Sequence, residues 1–192
     1  MTTLNYPFSE SAVRALHAGD AVSVNGRIWT GRDRFHKHFA DGGRLPVDFR
    51  DGAIFHCGPV VVPQADGGWR VVAGGPTTSL RENQYEPDFI AKTGVRLVIG
   101  KGGMDERTLA ACHACGAVYL QAVGGAAAVT AHAVKRVTNV YFLEDFGAAE
   151  ACWEFDVRDF RCVVAMDSRN VSLFARVQDE SRRRLAALIG CR

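Results

Sequence analysis

The sequence has little net charge of either sign. Its 23 lysines and arginines nearly balance 21 aspartates and glutamates, which leaves a formal net charge of +2. A protein that binds nucleic acid or an anionic membrane through its electrostatic field needs a larger basic excess. The charge balance therefore argues against a nucleic-acid or membrane partner.

The sequence also lacks a long uninterrupted apolar run. The most apolar stretch, AVYLQAVGGAAAVTAHAV, is interrupted by a glutamine, two glycines, a threonine and a histidine. A membrane-spanning helix needs about 20 predominantly apolar residues, so this stretch is predicted to form a buried strand, a turn and a helix. The opening MTTLNYPFSESAVR has no basic region followed by an apolar core, which predicts no secretory signal. We therefore expect a cytoplasmic protein.

The cysteines lack the spacing of a disulfide framework or of a metal site. They are Cys57, Cys112, Cys115, Cys152, Cys162 and Cys191. Cys112 and Cys115 form a lone CxxC inside a predicted helix that Gly116 ends, and a structural metal site would need a second ligand pair. We expect free thiols, and no metal bound by this chain.

What is present is a chain of 192 residues, 47% of them hydrophobic, which suffices for the core of one domain over residues 1–192. Two hairpins are predicted in its first part. Asn25-Gly26 suits a two-residue turn between AVSV and RIWT, and Asp66, Gly67 and Gly68 separate a second pair of strands. Ser9 is predicted to cap a first helix, and DRFHKHFADGG to form a second.

The middle of the chain alternates helices with continuous apolar strands. The strands are VRLVIG, AVYLQAV and VTNVYFLE, and the helices between and before them are PDFIAKTG, MDERTLAACHACG and GAAAVTAHAV. This alternation is typical of buried parallel β-α-β units. Two more strands, CWEFDVRDF and CVVAMDS, and a final helix are predicted to follow. The fold class predicted is α/β, with hairpins first and β-α-β units after them.

Four glycine-marked segments fall at predicted strand ends: TGRDRFHK, FHCGP, GGPTTSLR and IGKGGM. Ligands of α/β sheets bind beyond the carboxyl ends of strands. Arg32, Arg81 and Lys101 lie in these segments beside hydroxyl groups, which suits a small dicarboxylate or a phosphate. The nucleotide alternative fails on spacing, because Gly100-Lys101 is followed by Gly102 instead of a hydroxyl residue, and no GxGxxG is present.

The segments GPTTSLR, IGKGGM, YLQAVGGAA and FGAAEACWEF closely resemble the β component of class I iron–sulfur hydro-lyases. That component is the C-terminal part of class I fumarases and the small subunit of two-subunit fumarases and L(+)-tartrate dehydratases. The resemblance runs in the same order from about Gly19 to Asn170. It implies a single swivelling β/β/α domain, which agrees with hairpins followed by β-α-β units.

The resemblance also implies an activity and a partner. The family reversibly adds or removes water on a small dicarboxylate, with a [4Fe-4S] cluster held by three cysteines of an α component. The cysteines of this chain match no such motif, so the cluster is expected on an α subunit, in an α2β2 assembly. Fumarate and malate are the leading substrates, and L(+)-tartrate or a methyl-substituted fumarate are alternatives. A stand-alone anion-binding or regulatory domain of the same fold is the alternative of another class.

The family's site residues fall on particular positions here. By resemblance, Thr77 is the proton carrier, and the residues expected to bind substrate are Arg32, Thr78, Arg81 and Lys101. Three further residues are expected to support them. Asp33 is expected to hold Arg32, His36 lies one helical turn past Arg32 and faces either the site or the core, and His56 is expected to be structural or supporting.

The sequence departs from the family pattern in two places. Glu82 stands where the family usually has an apolar residue after GPTTSxR, so its carboxylate either faces and repels the substrate or points outward to a basic neighbour. Asp167-Ser168-Arg169-Asn170 lacks the glycine of the family's Asp-x-x-Gly-Asn, which puts the local turn in question.

Overall fold

The computed structural model describes residues 1–190, so Cys191 and Arg192 lie outside the described residues. Strands and helices alternate along the chain. The elements are β1 (Thr2–Asn5), α1 (Glu10–Arg14), β2 (Ala21–Thr30), α2 (Asp33–Ala40), β3 (Ala53–Phe55), β4 (Val60–Pro63), β5 (Trp69–Ala73), a 3-10 helix (Ser79–Glu82), α3 (Glu86–Thr93), β6 (Leu97–Gly100), α4 (Glu106–Cys115), β7 (Val118–Gln121), α5 (Ala127–Ala133), β8 (Val134–Tyr141), α6 (Leu143–Phe146), β9 (Cys152–Met166) and α7 (Leu173–Ile189).

Seven strands form one mixed sheet in the order β1-β2-β3-β6-β7-β9-β8, and β4 and β5 form a separate hairpin. β3, β6 and β7 run parallel, whereas β9 is antiparallel to β2, β7 and β8. Because β9 pairs with β2 as well as with β7, the sheet closes on itself. The α/β class is therefore confirmed, with parallel and antiparallel strands together.

The central parallel strands are buried on both faces. Phe55, Leu97 and Leu120 belong to one hydrophobic cluster, and Ile54 and Val98 belong to a second cluster on the opposite face. Residues alternate between faces along a strand, and here both faces are covered, which explains the continuous apolar runs. The carboxyl ends of β3 and β6 thereby reach one edge of the sheet beside each other.

The prediction of a hairpin at Asn25-Gly26 is wrong. β2 continues through these residues and pairs with β9 on both sides of them, with a register shift between Val24 and Gly26. Gly26 has a φ of 94° and supplies the irregular backbone of a bulge instead of a turn. The two strands predicted for residues 152–168 are likewise one strand, β9, of 15 residues. Its long ladder with β2 stabilises both strands as continuous elements.

Other predicted elements are confirmed. The β4–β5 hairpin brackets Asp66, Gly67 and Gly68, and the Ser9 hydroxyl accepts a hydrogen bond from the amide of Ala12 at the start of α1. The predicted helices in the middle of the chain correspond to α3, α4 and α5. The short β1 and α6 were not predicted.

The last helix, α7, lies on the surface. None of the residues of α7 is buried, and Val177, Leu185, Leu188 and Ile189 are exposed. Within residues 1–190, no helix is both long enough and apolar enough to cross a membrane.

Candidate functional site

The segment Thr77–Ser79 lies against the ends of β3 and β6. The amide of Thr77 donates to the carbonyl of His56 at 2.7 Å, and the amide of Lys101 donates to the carbonyl of Thr77 at 3.3 Å. The amide of Ser79 returns the contact to the carbonyl of Lys101 at 2.9 Å, so Thr78 and Lys101 form a parallel bridge. Backbone hydrogen bonds thus bring the GPTTS and GKGG segments together.

Three polar groups at this edge are free of internal partners. Within residues 1–190, the hydroxyls of Thr77 and Thr78 and the ammonium of Lys101 make no hydrogen bond or ion pair to another group. Gly102 and Gly103 follow Lys101 with φ values of 82° and 78°, a backbone conformation that favours glycine. The tight turn leaves the lysine at the edge, half-buried, with its charge available to a ligand.

Arg32, which follows β2, and Arg81, in the 3-10 helix, are held by different acids. Arg32 lies 3.2 Å from a carboxylate oxygen of Glu150 and donates to the carbonyl of Ala149 at 3.3 Å. Arg81 pairs with Asp33 and keeps 60% of its side chain exposed. The expectation that Asp33 holds Arg32 is therefore wrong. Adjacent residues at a helix start do not face each other, and Asp33 reaches the 3-10 helix instead.

A buried cluster of titratable side chains, which we call the inner cluster, lies beneath the site loop. It consists of His36, His56, Glu82 and Glu86, which are 0–2% exposed. His36 belongs to the core, because its Nδ1 donates to the carbonyl of Arg32 at 3.0 Å and the ring is fully buried. His56 is also fully buried and contacts Ser79 and Glu86.

Glu82 takes neither of the two orientations expected from the sequence. It is buried, with one oxygen 3.6 Å from His36 Nδ1, and it neither faces a ligand nor pairs with a basic group on the surface. Burial raises the pKa of Glu82 to about 8, and the neighbouring Asp33 carboxylate adds to the rise while His36 opposes it. The carboxyl is therefore neutral at pH 7, so it does not repel an anionic substrate.

Glu82→Gln is expected to remove a pH dependence of stability. The folded pKa of about 8 lies above the usual 4.5, so the folded state holds a proton that the unfolded chain releases. The stability from protonated Glu82 is fully present below about pH 4.5 and is lost as the pH rises through about 8. Urea unfolding should show the wild-type free energy of unfolding falling across this window relative to the variant. Parallel pH profiles of the two proteins would contradict a buried neutral carboxyl.

Glu86 was missed by the sequence analysis. An acidic residue in the first turn of a helix is ordinary, and Glu86 opens α3. The available signal was the spacing: Glu82, Glu86 and the buried Phe89 and Ile90 recur at helical intervals, which places both acids on the apolar side.

The cysteines do not fit an iron–sulfur cluster. Cys57, Cys112, Cys152 and Cys162 are buried, and burial raises the pKa of each thiol, which disfavours the thiolate that binds iron. In the part of the chain that the structure describes, the one group of three potential ligands close enough to share a metal contains no cysteine; it is His36, His56 and Glu86. Cys191 lies outside the described residues.

The turn that lacks the family glycine is nevertheless formed. Asn170 adopts a φ of 67°, and asparagine tolerates this left-handed conformation better than most residues. The Asp167 carboxylate accepts hydrogen bonds from the amides of Arg169 and Val171 at 2.9 Å and 3.0 Å. Asparagine therefore takes the role expected of glycine.

Comparison with known proteins gives consistent matches. The family model described as "Fumarase C-terminus" matches residues 1–177. A Geobacillus stearothermophilus protein named "Putative fumarate hydratase class I" is 46% identical over 184 residues, which are 96% of this chain and 35% of that protein. The chain thus spans about a third of that relative's length.

Two smaller relatives match over most of their length. A Methanocaldococcus jannaschii protein named "Putative L(+)-tartrate dehydratase subunit beta" is 42% identical, with 93% of each chain covered. The Escherichia coli K12 protein named "L(+)-tartrate dehydratase subunit beta" is 34% identical over 90% of this chain and 86% of its own.

Proposed function

The chain belongs to the fumarase C-terminus family, and from this premise we propose that it is the β component of a heteromeric hydro-lyase. The reaction proposed is the reversible addition or removal of water on a small dicarboxylate. The observation that carries the proposal is the edge where Thr77, Thr78 and Lys101 meet with free polar groups. Residues 1–192 are proposed to form the single domain of this component.

Fumarate and malate are the proposed substrate pair. The relative of highest identity described above carries the name of a fumarate hydratase, whereas the two β subunits carry the name of a tartrate dehydratase. L(+)-tartrate is therefore the second candidate. Glu82 adds no hydroxyl-recognising group at the edge, because its carboxyl is buried beneath the loop.

The residues of this chain are proposed to bind and orient the substrate and to move its proton. Removing a proton next to a carboxylate builds negative charge on that carboxylate. Arg32, Arg81 and Lys101 would stabilise this charge in the transition state more than in the ground state. The Thr77 hydroxyl would carry the proton, activated by the neighbouring cations. Thr78 would position the substrate through its hydroxyl.

A partner subunit is proposed to complete the site. The cationic edge is open, with Thr78 and Arg81 exposed, so another surface must cover it to exclude water. The apolar residues exposed on α7 also suit a chain that functions in a complex. The [4Fe-4S] cluster of the family is proposed to belong to this α subunit, in an α2β2 assembly in the cytoplasm.

Activity is expected only when the two subunits are mixed. The chain alone, reconstituted anaerobically with iron and sulfide, should hold no stoichiometric cluster, since its buried thiols do not converge. Absorbance spectra measure the cluster, and assays with fumarate, malate and L(+)-tartrate measure activity before and after mixing.

Cys112→Ser with Cys115→Ser is the matched control. This double variant should behave as the wild type, both alone and mixed. Cluster absorbance in the isolated chain that disappears in the double variant would contradict the proposal and make the CxxC a metal site. A mixed enzyme that is inactive on all the dicarboxylates, although the chain alone binds them, would favour an anion-binding domain.

A further inference from the structure

Glu86 links the two histidines of the inner cluster. Its Oε2 atom lies 3.1 Å from His36 Nε2 and 3.1 Å from His56 Nε2, and all three side chains are fully buried. The opposite nitrogen of each ring contacts a site segment: His36 Nδ1 is 3.0 Å from the Arg32 carbonyl, and His56 Nδ1 is 2.9 Å from Ser79 Oγ. A continuous row of polar contacts therefore runs from Arg32 to Ser79.

The contacts of His36 favour a charged ring. The Arg32 carbonyl only accepts hydrogen bonds, so Nδ1 of His36 carries a hydrogen. His36 Nε2 lies 3.1 Å from Glu86 Oε2 but forms no aligned hydrogen bond with it. An ionised Glu86 is attracted to this nitrogen only when the ring is protonated there as well. Burial lowers the pKa of His36, but the Glu86 carboxylate outweighs burial and raises the pKa above its usual value. Burial raises the pKa of Glu86, and the two histidines bring it below its usual value.

The contacts of His56 are satisfied by a neutral ring. Its Nε2 donates to Glu86 at 3.1 Å, and its Nδ1 accepts from the Ser79 hydroxyl. That hydroxyl in turn accepts from the Tyr119 hydroxyl at 3.0 Å. Burial lowers the pKa of His56, which agrees with this assignment. The row therefore contains one imidazolium and one carboxylate, whose charges balance.

Protons account for this arrangement better than a metal ion does. The ligand atoms of His36, His56 and Glu86 lie within 4.8 Å of one another. A closed zinc site needs four ligands, and in the described residues this group supplies three. An open site with three protein ligands keeps its fourth position for water or substrate, whereas these three side chains are fully buried. The nearest candidate for a fourth, Glu82, lies beside the other nitrogen of His36.

We propose that Glu86 is a positioning residue, which fixes Arg32 and the Thr77–Ser79 segment relative to each other through His36 and His56. This inference rests on the proposed function. Ser79 Oγ packs directly against Gly100, where a Cβ would overlap it. The Ser79 end of the row therefore has little room to move. A misplacement of about 1 Å by a distant change costs about 100-fold in rate.

The activity test compares Glu86→Gln with Asp88→Asn in the enzyme reconstituted with its partner. Glu86→Gln should lower kcat about 100-fold and leave KM within about threefold, because alignment acts in the transition state. Asp88→Asn changes an exposed carboxylate of the same helix, paired with Lys92, and should leave both constants unchanged. Wild-type kcat per folded Glu86→Gln enzyme would contradict the proposal.

Tyr119→Phe is a second variant that tests the row even if Glu86→Gln does not fold. It removes only the hydroxyl that donates to Ser79 Oγ at 3.0 Å, where the row ends. The loss of one such bond corresponds to about two- to tenfold in kcat. An unchanged kcat in Tyr119→Phe, together with an unfolded Glu86→Gln, would overturn the proposal.

Histidine NMR on the isolated chain tests the row without the partner. His36 should titrate above the ordinary histidine pKa and His56 below it, and Glu86→Gln should lower the pKa of His36. The other titratable groups near these rings and Glu86 are Glu82, Asp33, Cys112 and Tyr119. If the pKa of His36 were the same in Glu86→Gln as in the wild type, the proposed row of contacts would be contradicted.

These experiments distinguish a failure of the positioning role of Glu86 from a failure of the proposed function. If the histidine titrations shift as expected but the mixed enzyme has no hydro-lyase activity, the row is supported and the proposed function alone fails. Stoichiometric metal in the purified wild-type chain that is lost in His56→Gln would overturn the proton assignment.

Discussion

Thr77→Val in the reconstituted enzyme should lower kcat by about 100-fold to 10,000-fold, the range that a positioned proton carrier contributes. Valine keeps the branched shape of threonine and removes only the hydroxyl. The backbone contacts of Thr77 to His56 and Lys101 involve its amide and carbonyl, so they persist in the variant. Steady-state kinetics with fumarate and malate measure the loss, and circular dichroism confirms the fold.

Thr77→Ser is the control for this change. Serine restores a hydroxyl at nearly the same place, so the variant should retain activity within about tenfold of the wild type. If Thr77→Val and Thr77→Ser were equally active, the proton carrier would lie elsewhere. If both were equally inactive, the methyl group and not the hydroxyl would be the important part of Thr77.

The central parallel strands could be predicted because their continuous apolar sequences indicate burial on both faces. VRLVIG and AVYLQAV are continuous apolar runs, and a strand covered on both faces requires that pattern. The glycines after β6 likewise indicated a turn at Lys101, and Gly102 and Gly103 have the positive φ values of such a turn. The prediction of a ligand edge followed from these local signals.

The continuous strands β2 and β9 could not be predicted from local signals. Asn25-Gly26 is a strong turn sequence, yet the ladder between β2 and β9 extends across it. Residues paired in this ladder lie more than 120 positions apart, as Val24 and Phe160 do. Such tertiary pairing overrides local preference, and it cannot be inferred from a single sequence.

The inner cluster could be predicted from the sequence only in part, for the same reason. His36, His56 and Glu86 come from α2, the end of β3 and α3, and only the fold brings them together. The pairing of Arg81 with Asp33 is equally distant in sequence. Resemblance identifies positions one at a time, whereas partner assignments such as Asp33 with Arg32 need the geometry.

Lys101→Met should lower kcat/KM by roughly 30-fold to several thousand-fold, which corresponds to the 2–5 kcal/mol lost when one member of a buried charge pair is removed. Methionine has a similar length and no charge. Lys101 has no internal partner within residues 1–190, so its removal exposes no unpaired acid and should hardly change the free energy of unfolding. The loss should therefore appear in kinetics and not in urea melts.

Lys92→Met is the matched control, because it removes the same charge from an exposed site on α3. The Lys92 ammonium pairs with Asp88 at 3.0 Å, and both side chains are largely exposed, so the pair contributes at most about 1 kcal/mol to stability. Its catalytic constants should match those of the wild type. If the two lysine variants kept equal activity, Lys101 would hold no substrate carboxylate, and the two arginines would have to bind both ends of the dicarboxylate.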